Sequence, residues 1–218
     1  EITLKADMGD SVDATALAKC DVAVDFSFHS ATPEIAKLCA EVGRPLVIGT
    51  TGHTPEQRAL IEQCAQKIPI VWAGNYSVGV NLLNYLTQKA ARVLGADYNV
   101  EIVEMHHRHK KDAPSGTAVK LVDIVRQARE LSEDDVCYGR HGITGERPQN
   151  QIGMHALRGG DVVGDHTVIF AGEGERVELS HKASNRTVFA QGAVRAARWL
   201  AEGNGGKSGI HGMDSVLG

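Results

Sequence analysis

The run Glu104-Met-His-His-Arg-His-Lys-Lys-Asp-Ala-Pro-Ser-Gly-Thr-Ala118 concentrates three histidines, an arginine and two lysines directly after an apolar stretch. Pro114 then interrupts the backbone, and Ser115-Gly-Thr117 has the composition of a helix start. Ser115 suits the N-cap, where a side-chain oxygen takes an orphan amide, and the amides of Gly116 and Thr117 would point out of the helix. A helix N-terminus holds a carboxylate or phosphate well. With His106, His107, Arg108 and Lys110 adding positive charge, the stretch fits a site for a small dianion. Two other readings stand beside this one. A basic, histidine-rich run is also what a solvated turn looks like. His107 and His109 could instead ligate a metal, which would make a hydrolase; that needs a third ligand, and Arg108, Lys110 and Lys111 repel a cation. No metal is expected.

The elements around this cluster follow from hydrophobic spacing. Residues 99–105 read as a strand that ends in the cluster, and residues 116–131 as the helix that leaves it. Upstream, residues 22–28, 45–49 and 68–73 are short apolar strands. The helices between them cover residues 31–42 and 54–66, and a further helix covers 80–94. Pro33 falls in a first turn, where it is tolerated. Thr54 can cap, Pro55 suits the first helical position, and Gln57 sits at the capping-box position. Near-continuous apolar strands joined by helices indicate a parallel sheet covered on both faces. Ligands bind such sheets beyond the carboxyl ends of the strands. Downstream, residues 139–150 are Gly-rich and charged and read as a loop. Residues 151–158, 165–171 and 176–183 read as strands of a mixed or antiparallel sheet, and residues 187–201 return to helix.

The chain has 218 residues, 42% of them hydrophobic and 23% charged, with a net charge of −4. That is enough for one large domain or two small ones. The acidic balance argues against a nucleic-acid binder, which usually shows a basic face. No apolar run reaches the ~20 residues of a membrane helix. The four cysteines are scattered and form no Cys-x-x-Cys pair. Cys39 and Cys64, on helix-like apolar patterns, read as buried thiols. The reading is a protein of a reducing, cytoplasmic compartment.

The cluster His-His-Arg-His-Lys110 followed by Asp112-Ala-Pro-Ser-Gly-Thr-Ala118 resembles the signature of 4-hydroxy-tetrahydrodipicolinate reductases, also called dihydrodipicolinate reductases. Other segments resemble the family in the same order: Ile48-Gly-Thr-Thr-Gly52, Ala73-Gly-Asn-Tyr-Ser-Val-Gly-Val-Asn81, Thr144-Gly-Glu-Arg147, Arg158-Gly-Gly-Asp-Val-Val-Gly-Asp-His166 and Ser180-His-Lys-Ala-Ser-Asn-Arg186. The resemblance implies reduction of 4-hydroxy-tetrahydrodipicolinate by NADH or NADPH in lysine and diaminopimelate biosynthesis. By position it assigns proton transfer to His106 and Lys110. It assigns substrate binding to His107, Gly116 and Thr117, and Ser115, which opens that helix start, is expected to bind substrate with them. Gly49, Thr50, Thr51, Ala73, Gly74, Asn75 and Tyr76 match cofactor-contacting loops. Tyr76 could lay its ring on the nicotinamide or its ribose, and Gly49 and Gly52 would let the backbone approach the ligand.

The expected fold is α/β. A Rossmann-like parallel-sheet domain of residues 1–77 and 187–218 accompanies an α+β substrate and oligomerisation domain of residues 78–186. In the family the sheets of the second domain associate into a homotetramer, with a dicarboxylate as substrate. One departure is expected to matter. A dinucleotide fold begins with strand, glycine-rich loop and helix, and Asp7-Met-Gly-Asp10 is no such loop, having one glycine and flanking aspartates. The chain therefore reads as lacking the phosphate-binding segment and the residue that decides between NADH and NADPH. A form that binds the dicarboxylate but is catalytically impaired is the alternative this leaves.

Overall fold

The computed structural model describes residues 1–7 and 9–218; Met8, inside the run read as no phosphate loop, lies outside the described residues. Two compact units are formed, Glu1–Val78 with Thr187–Gly218, and Gly79–Arg186.

In the first unit, helix α1 (Ala14–Leu17) precedes strand β1 (Ala23–Asp25). Helix α2 (Thr32–Glu41), β2 (Leu46–Ile48), α3 (Pro55–Ala65) and β3 (Pro69–Trp72) follow. Alternation along β2 and β3 sends Leu46, Ile48 and Ile70 to one face, against Ala36, Cys39 and Ile61. Val47 and Val71 go to the other face, against Ala193, Ala196 and Leu200. Those last three belong to α6 (Thr187–Ala201), so the chain's return to helix covers the second face. The expected two-sided parallel sheet is present, in the order β1-β2-β3-β9 with every pair parallel. Strand β9 (Gly209–His211) and the closing helix α7 (Met213–Leu217) were not foreseen; three residues amid glycines carry no periodicity to read. The capping box at Thr54 is formed, with the Gln57 amide donating to the Thr54 hydroxyl and the Thr54 amide to the Gln57 side chain. Cys39 and Cys64 are buried free thiols, and burial pushes the Cys39 thiol up to about 12.

His53 is only 7% exposed, and neither ring nitrogen has a hydrogen-bond partner among the described residues. Its ring stands edge-on to Trp72 at 5.2 Å. Burial first, then the Arg58 charge, lowers its pKa, so the ring is neutral, yet it still carries one N–H. An unpaired buried donor costs ~1–3 kcal/mol. His53→Phe keeps the edge contact and removes the polar atoms. It is expected to raise stability by about 1 kcal/mol, read as a higher urea midpoint at unchanged m; a lower midpoint would show that the ring has a partner in solution.

The second unit takes nearly all of α4 (Val78–Leu94) and then β4 (Asn99–His106), α5 (Gly116–Arg129), β5 (Val136–Cys137), β6 (Ile152–Arg158), β7 (Gly164–Ala171) and β8 (Arg176–Ala183). Its sheet runs β5-β6-β4-β7-β8. β4 lies parallel to β6 and antiparallel to β7, so the sheet is mixed. Val100 and Ile102 of β4 point, with Ile152, Met154, Val168 and Phe170, into the core that Leu83 of α4 and Leu121 and Val125 of α5 complete. Glu104 is the next residue in that inward row and is fully buried. A carboxylate where the pattern asks for an apolar side chain must find strong partners. On the opposite face burial opposes ionisation of Glu101, but hydrogen bonds from Arg140, His155 and Arg147 outweigh it and hold its pKa at about 2. These bonds pin the irregular 139–150 segment to β4. No helix among the described residues is long and apolar enough to cross a membrane.

Candidate functional site

Strand β4 delivers two residues of one face, Glu104 and His106, to the edge of the basic loop, because alternate residues of a strand share a face. Glu104 Oε2 lies 2.6 Å from His106 Nδ1. Arg158, whose register partner across the β4–β6 ladder is His106, sets its fork on the same carboxylate. Its Nη1 donates to Oε2 at 2.8 Å and its Nη2 to Oε1 at 2.9 Å. The Ser115 backbone N–H adds a fourth donor, to Oε1 at 3.0 Å. Burial works against the Glu104 charge, yet the bonds from Arg158, His106 and the Ser115 amide prevail and hold its pKa below the ordinary value. Fork geometry and charge-assisted bonds of this kind are the strong ones.

Ser115 is the N-cap of α5, its hydroxyl accepting from the Ala118 amide at 3.2 Å. It is 3% exposed, and its hydroxyl also meets His166 Nε2 at 2.9 Å. Its amide is engaged by a carboxylate of the protein itself and its hydroxyl by the cap and His166. Gly116, exposed, and Thr117, half-buried, remain on the first turn. His166 is buried, with its ring edge-on to His106 at 5.2 Å. Burial, followed by the nearby His106, pushes its pKa down to about 4.

Past His106 the chain turns, the Lys110 amide donating to the His107 carbonyl and the Arg108 amide to the Gly160 carbonyl. His107, Arg108, His109, Gly160, Asp161 and Arg186 line a cavity of about 590 Å³. Burial, then the charges of Arg186 and His109, lowers the His107 pKa. Lys110, read from the sequence as a cation that adds charge to the site, holds its Nζ 2.9 Å from both oxygens of Asp112, a carboxylate that is 66% exposed. Exposed pairs of this kind contribute little, so Lys110 can exchange Asp112 for a ligand carboxylate.

The His107 and His109 rings stand 6.2 Å apart. Among the described residues no group of three or more His, Cys, Asp or Glu side chains could hold a metal ion. Purified protein is accordingly expected to carry no stoichiometric zinc. Elemental analysis finding about one equivalent that is lost on His107→Ala would revive the hydrolase reading.

The residues matched to cofactor loops lie in the first unit, at the carboxyl ends of β2 and β3. The two loops adjoin there: a Cβ on Gly74 would lie 3.8 Å from Thr51 Cγ2. Thr51 and Gly74 are exposed, and Ala73 and Asn75 half-buried. Three of the expected contacts are otherwise employed. Tyr76 is 1% exposed and its hydroxyl donates to the Ile48 and Val71 carbonyls, so no ring face is offered to a nicotinamide. The Thr50 hydroxyl is buried and donates to Asp25. A side chain on Gly49 would come within 2.2 Å of the Phe26 ring, so the space that its missing Cβ leaves is filled by Phe26 and not by a ligand. Phe26 itself is 55% exposed beside these loops. An exposed ring, an exposed threonine and approachable backbone fit a nicotinamide dinucleotide.

Sequence reasoning assigned no role to Glu104, Arg158, Asp161, His166 or Arg186. Four of them stood in or at the ends of family-like segments, and that was the available signal; the buried carboxylate Glu104 opens the basic run two residues before the signature.

The model for "Dihydrodipicolinate reductase, N-terminus" matches residues 4–76, and that for "Dihydrodipicolinate reductase, C-terminus" matches residues 79–217. A protein of Akkermansia muciniphila named 4-hydroxy-tetrahydrodipicolinate reductase is 58% identical over 204 residues, 93% of this chain and 82% of that protein. One of the same name from Halorhodospira halophila is 50% identical over 99% of this chain and 80% of its own. The dipicolinate-bound dihydrodipicolinate reductase from Paenisporosarcina sp. TG-14 superposes with a TM-score of 0.71 at 28% identity, covering 89% of this chain and 72% of that one. A probable dehydrogenase from Thermotoga maritima shares the fold alone, at a TM-score of 0.53 and 9% identity over 94% of this chain and 77% of that one. This chain belongs to the dihydrodipicolinate reductase family.

Proposed function

We propose that the protein reduces 4-hydroxy-tetrahydrodipicolinate, with loss of water, to tetrahydrodipicolinate in lysine and diaminopimelate biosynthesis, using NADH or NADPH. The observation that carries the reading is the cavity after β4. His107, Arg108, His109 and Arg186 line it and Asp161 is its one acidic group, a charge balance suited to a dicarboxylate. The relatives' shared name supports the same substrate.

The nicotinamide cofactor, when bound, supplies hydride. Thr51, Ala73, Gly74 and Asn75 of the first unit would hold it. The second unit binds the dicarboxylate through His107, the α5 start at Gly116 and Thr117, and Lys110. Hydride addition leaves a carbanion-like centre that must gain a proton, and a positioned acid supplies it. Lys110 and His106 are the acids in reach of the loop. The assembly proposed is a homotetramer. It would form through the sheet face that carries Val103, Met105 and Ile169, opposite the face covered by α4 and α5.

The test is oxidation of NADPH and of NADH, followed at 340 nm, on addition of freshly generated 4-hydroxy-tetrahydrodipicolinate. The expected result is turnover inhibited competitively by pyridine-2,6-dicarboxylate, a planar analogue of the substrate. No oxidation of either nucleotide by folded protein would overturn the reading.

A further inference from the structure

We propose that Glu104, held by Arg158, is a positioning residue that keeps a proton of His106 on Nδ1 and leaves Nε2 as the nitrogen that exchanges a proton during reduction. The proposal rests on the function given above and adds to it the atom that works and the residues that select it.

The argument begins with the number of donors. Glu104 is fully buried, and Arg158, the Ser115 amide and His106 supply four contacts between 2.6 and 3.0 Å. An ionised carboxylate has only lone pairs to offer. Oε1 already accepts from Arg158 Nη2 and the Ser115 amide, and Oε2 from Arg158 Nη1. A proton on either oxygen would weaken a bond that oxygen accepts from the Arg158 fork, and the bonds from Arg158, His106 and the Ser115 amide hold the Glu104 pKa below its ordinary value. Glu104 is therefore ionised, and its contact with His106 requires an N–H on Nδ1. The same logic fixes metal-bound imidazoles, where the partner of one ring nitrogen decides the state of the other.

Among the described residues, Glu104 is the one acceptor that meets Nδ1. Glu104 faces it from β4 and Arg158 from β6. His166 of β7 meets it edge-on and uses its Nε2 on Ser115. His107 and Lys110 follow in the loop and bring no carboxylate to it. On the far side, a Cβ at Gly164 would lie 2.9 Å from His106 Nε2. Glycine at that position of β7 gives the ring the place that the Glu104 contact demands. Three strands and the start of α5 thus converge on the Glu104–His106 pair. A histidine that served only to add charge would need none of this.

The test is a long-range proton–nitrogen correlation spectrum of the ring nitrogens, recorded on the full chain labelled with ¹⁵N-histidine, with His106 assigned from its loss in His106→Gln. The expected spectrum has Nδ1 in the protonated, pyrrole-type range and Nε2 in the pyridine-type range. The reverse pattern overturns the proposal without any variant having to fold. In Glu104→Gln the expected result is loss of the single tautomer. The kcat should fall at least ~10-fold, as when a triad carboxylate is replaced by its amide and the wrong tautomer results. The Kd for pyridine-2,6-dicarboxylate should stay within about twofold, since Glu104 touches the ring and not the ligand. A folded Glu104→Gln protein that keeps the Nδ1 proton and normal kcat would overturn the role of Glu104. If the wild type reduced its substrate with the proton on Nε2, this proposal alone would fall. If Nδ1 were protonated and no reduction occurred, the function would fall, and with it the task given to the ring.

Discussion

Lys110→Ala is expected to cut turnover by ~10²-fold or more, and His106→Ala by a similar factor, the scale on which acid–base help is lost. The two variants should differ in binding. Lys110 can leave its exposed partner Asp112 for a ligand carboxylate, so Lys110→Ala should also weaken pyridine-2,6-dicarboxylate. His106 is tied to Glu104 inside the protein, so His106→Ala should bind the analogue more nearly normally. Asp112→Ala is the control: the carboxylate it removes is 66% exposed and its loss should change turnover by no more than about threefold. Steady-state kinetics with calorimetry for the analogue separate these outcomes. Near-normal turnover in both Lys110→Ala and His106→Ala would remove both residues from the chemistry.

The second large effect concerns stability. Arg158→Met takes the fork from a fully buried carboxylate and leaves it with His106 and the Ser115 amide. Breaking a buried ion pair by deleting one partner costs ~3–5 kcal/mol, and Arg158 is itself only 21% exposed, so a loss of about 3 kcal/mol is expected at neutral pH. The deficit should depend on pH. Glu104 has a folded-state pKa below its ordinary value. A depressed carboxylate stabilises the fold above its unfolded pKa and loses that contribution as pH falls through the folded value. The wild type therefore loses the Glu104 contribution on acidification, while the variant has little of it to lose. Denaturation curves for both proteins should converge as the pH drops below the ordinary carboxylate range. A deficit that stayed constant through that range would mean that Arg158 stabilises by packing and not through the charge of Glu104.

The elements were legible where their signals are local. Thr54, Pro55 and Gln57 lie within four residues and make a cap whatever the rest of the chain does. Ser115 likewise reads as an N-cap because its partner, the Ala118 amide, is three residues on. The two covered faces of the parallel sheet followed from the near-continuous apolar runs of residues 45–49 and 68–73, joined by helices. The fate of side chains that could serve either a ligand or the protein was not legible. Tyr76 reads as a ring free to stack until the ends of two strands present carbonyls to its hydroxyl. Gly49 reads as room for a ligand until the Phe26 ring fills it.

By itself the sequence determined the α/β class, the order of the longer helices and strands, and the basic run that ends β4 and opens a helix. These depend on periodicity and on residues a few positions apart, which local sterics and burial fix. Only the tertiary structure decided what holds His106. Glu104 and Arg158 are 54 positions apart, and Ser115 and His166 are 51. They meet because β4 pairs with β6 in one register and with β7 in another, and a one-residue slip would send every side chain to the other face. Register is settled by the sum of many pairings across a sheet, and no short window of the chain contains it.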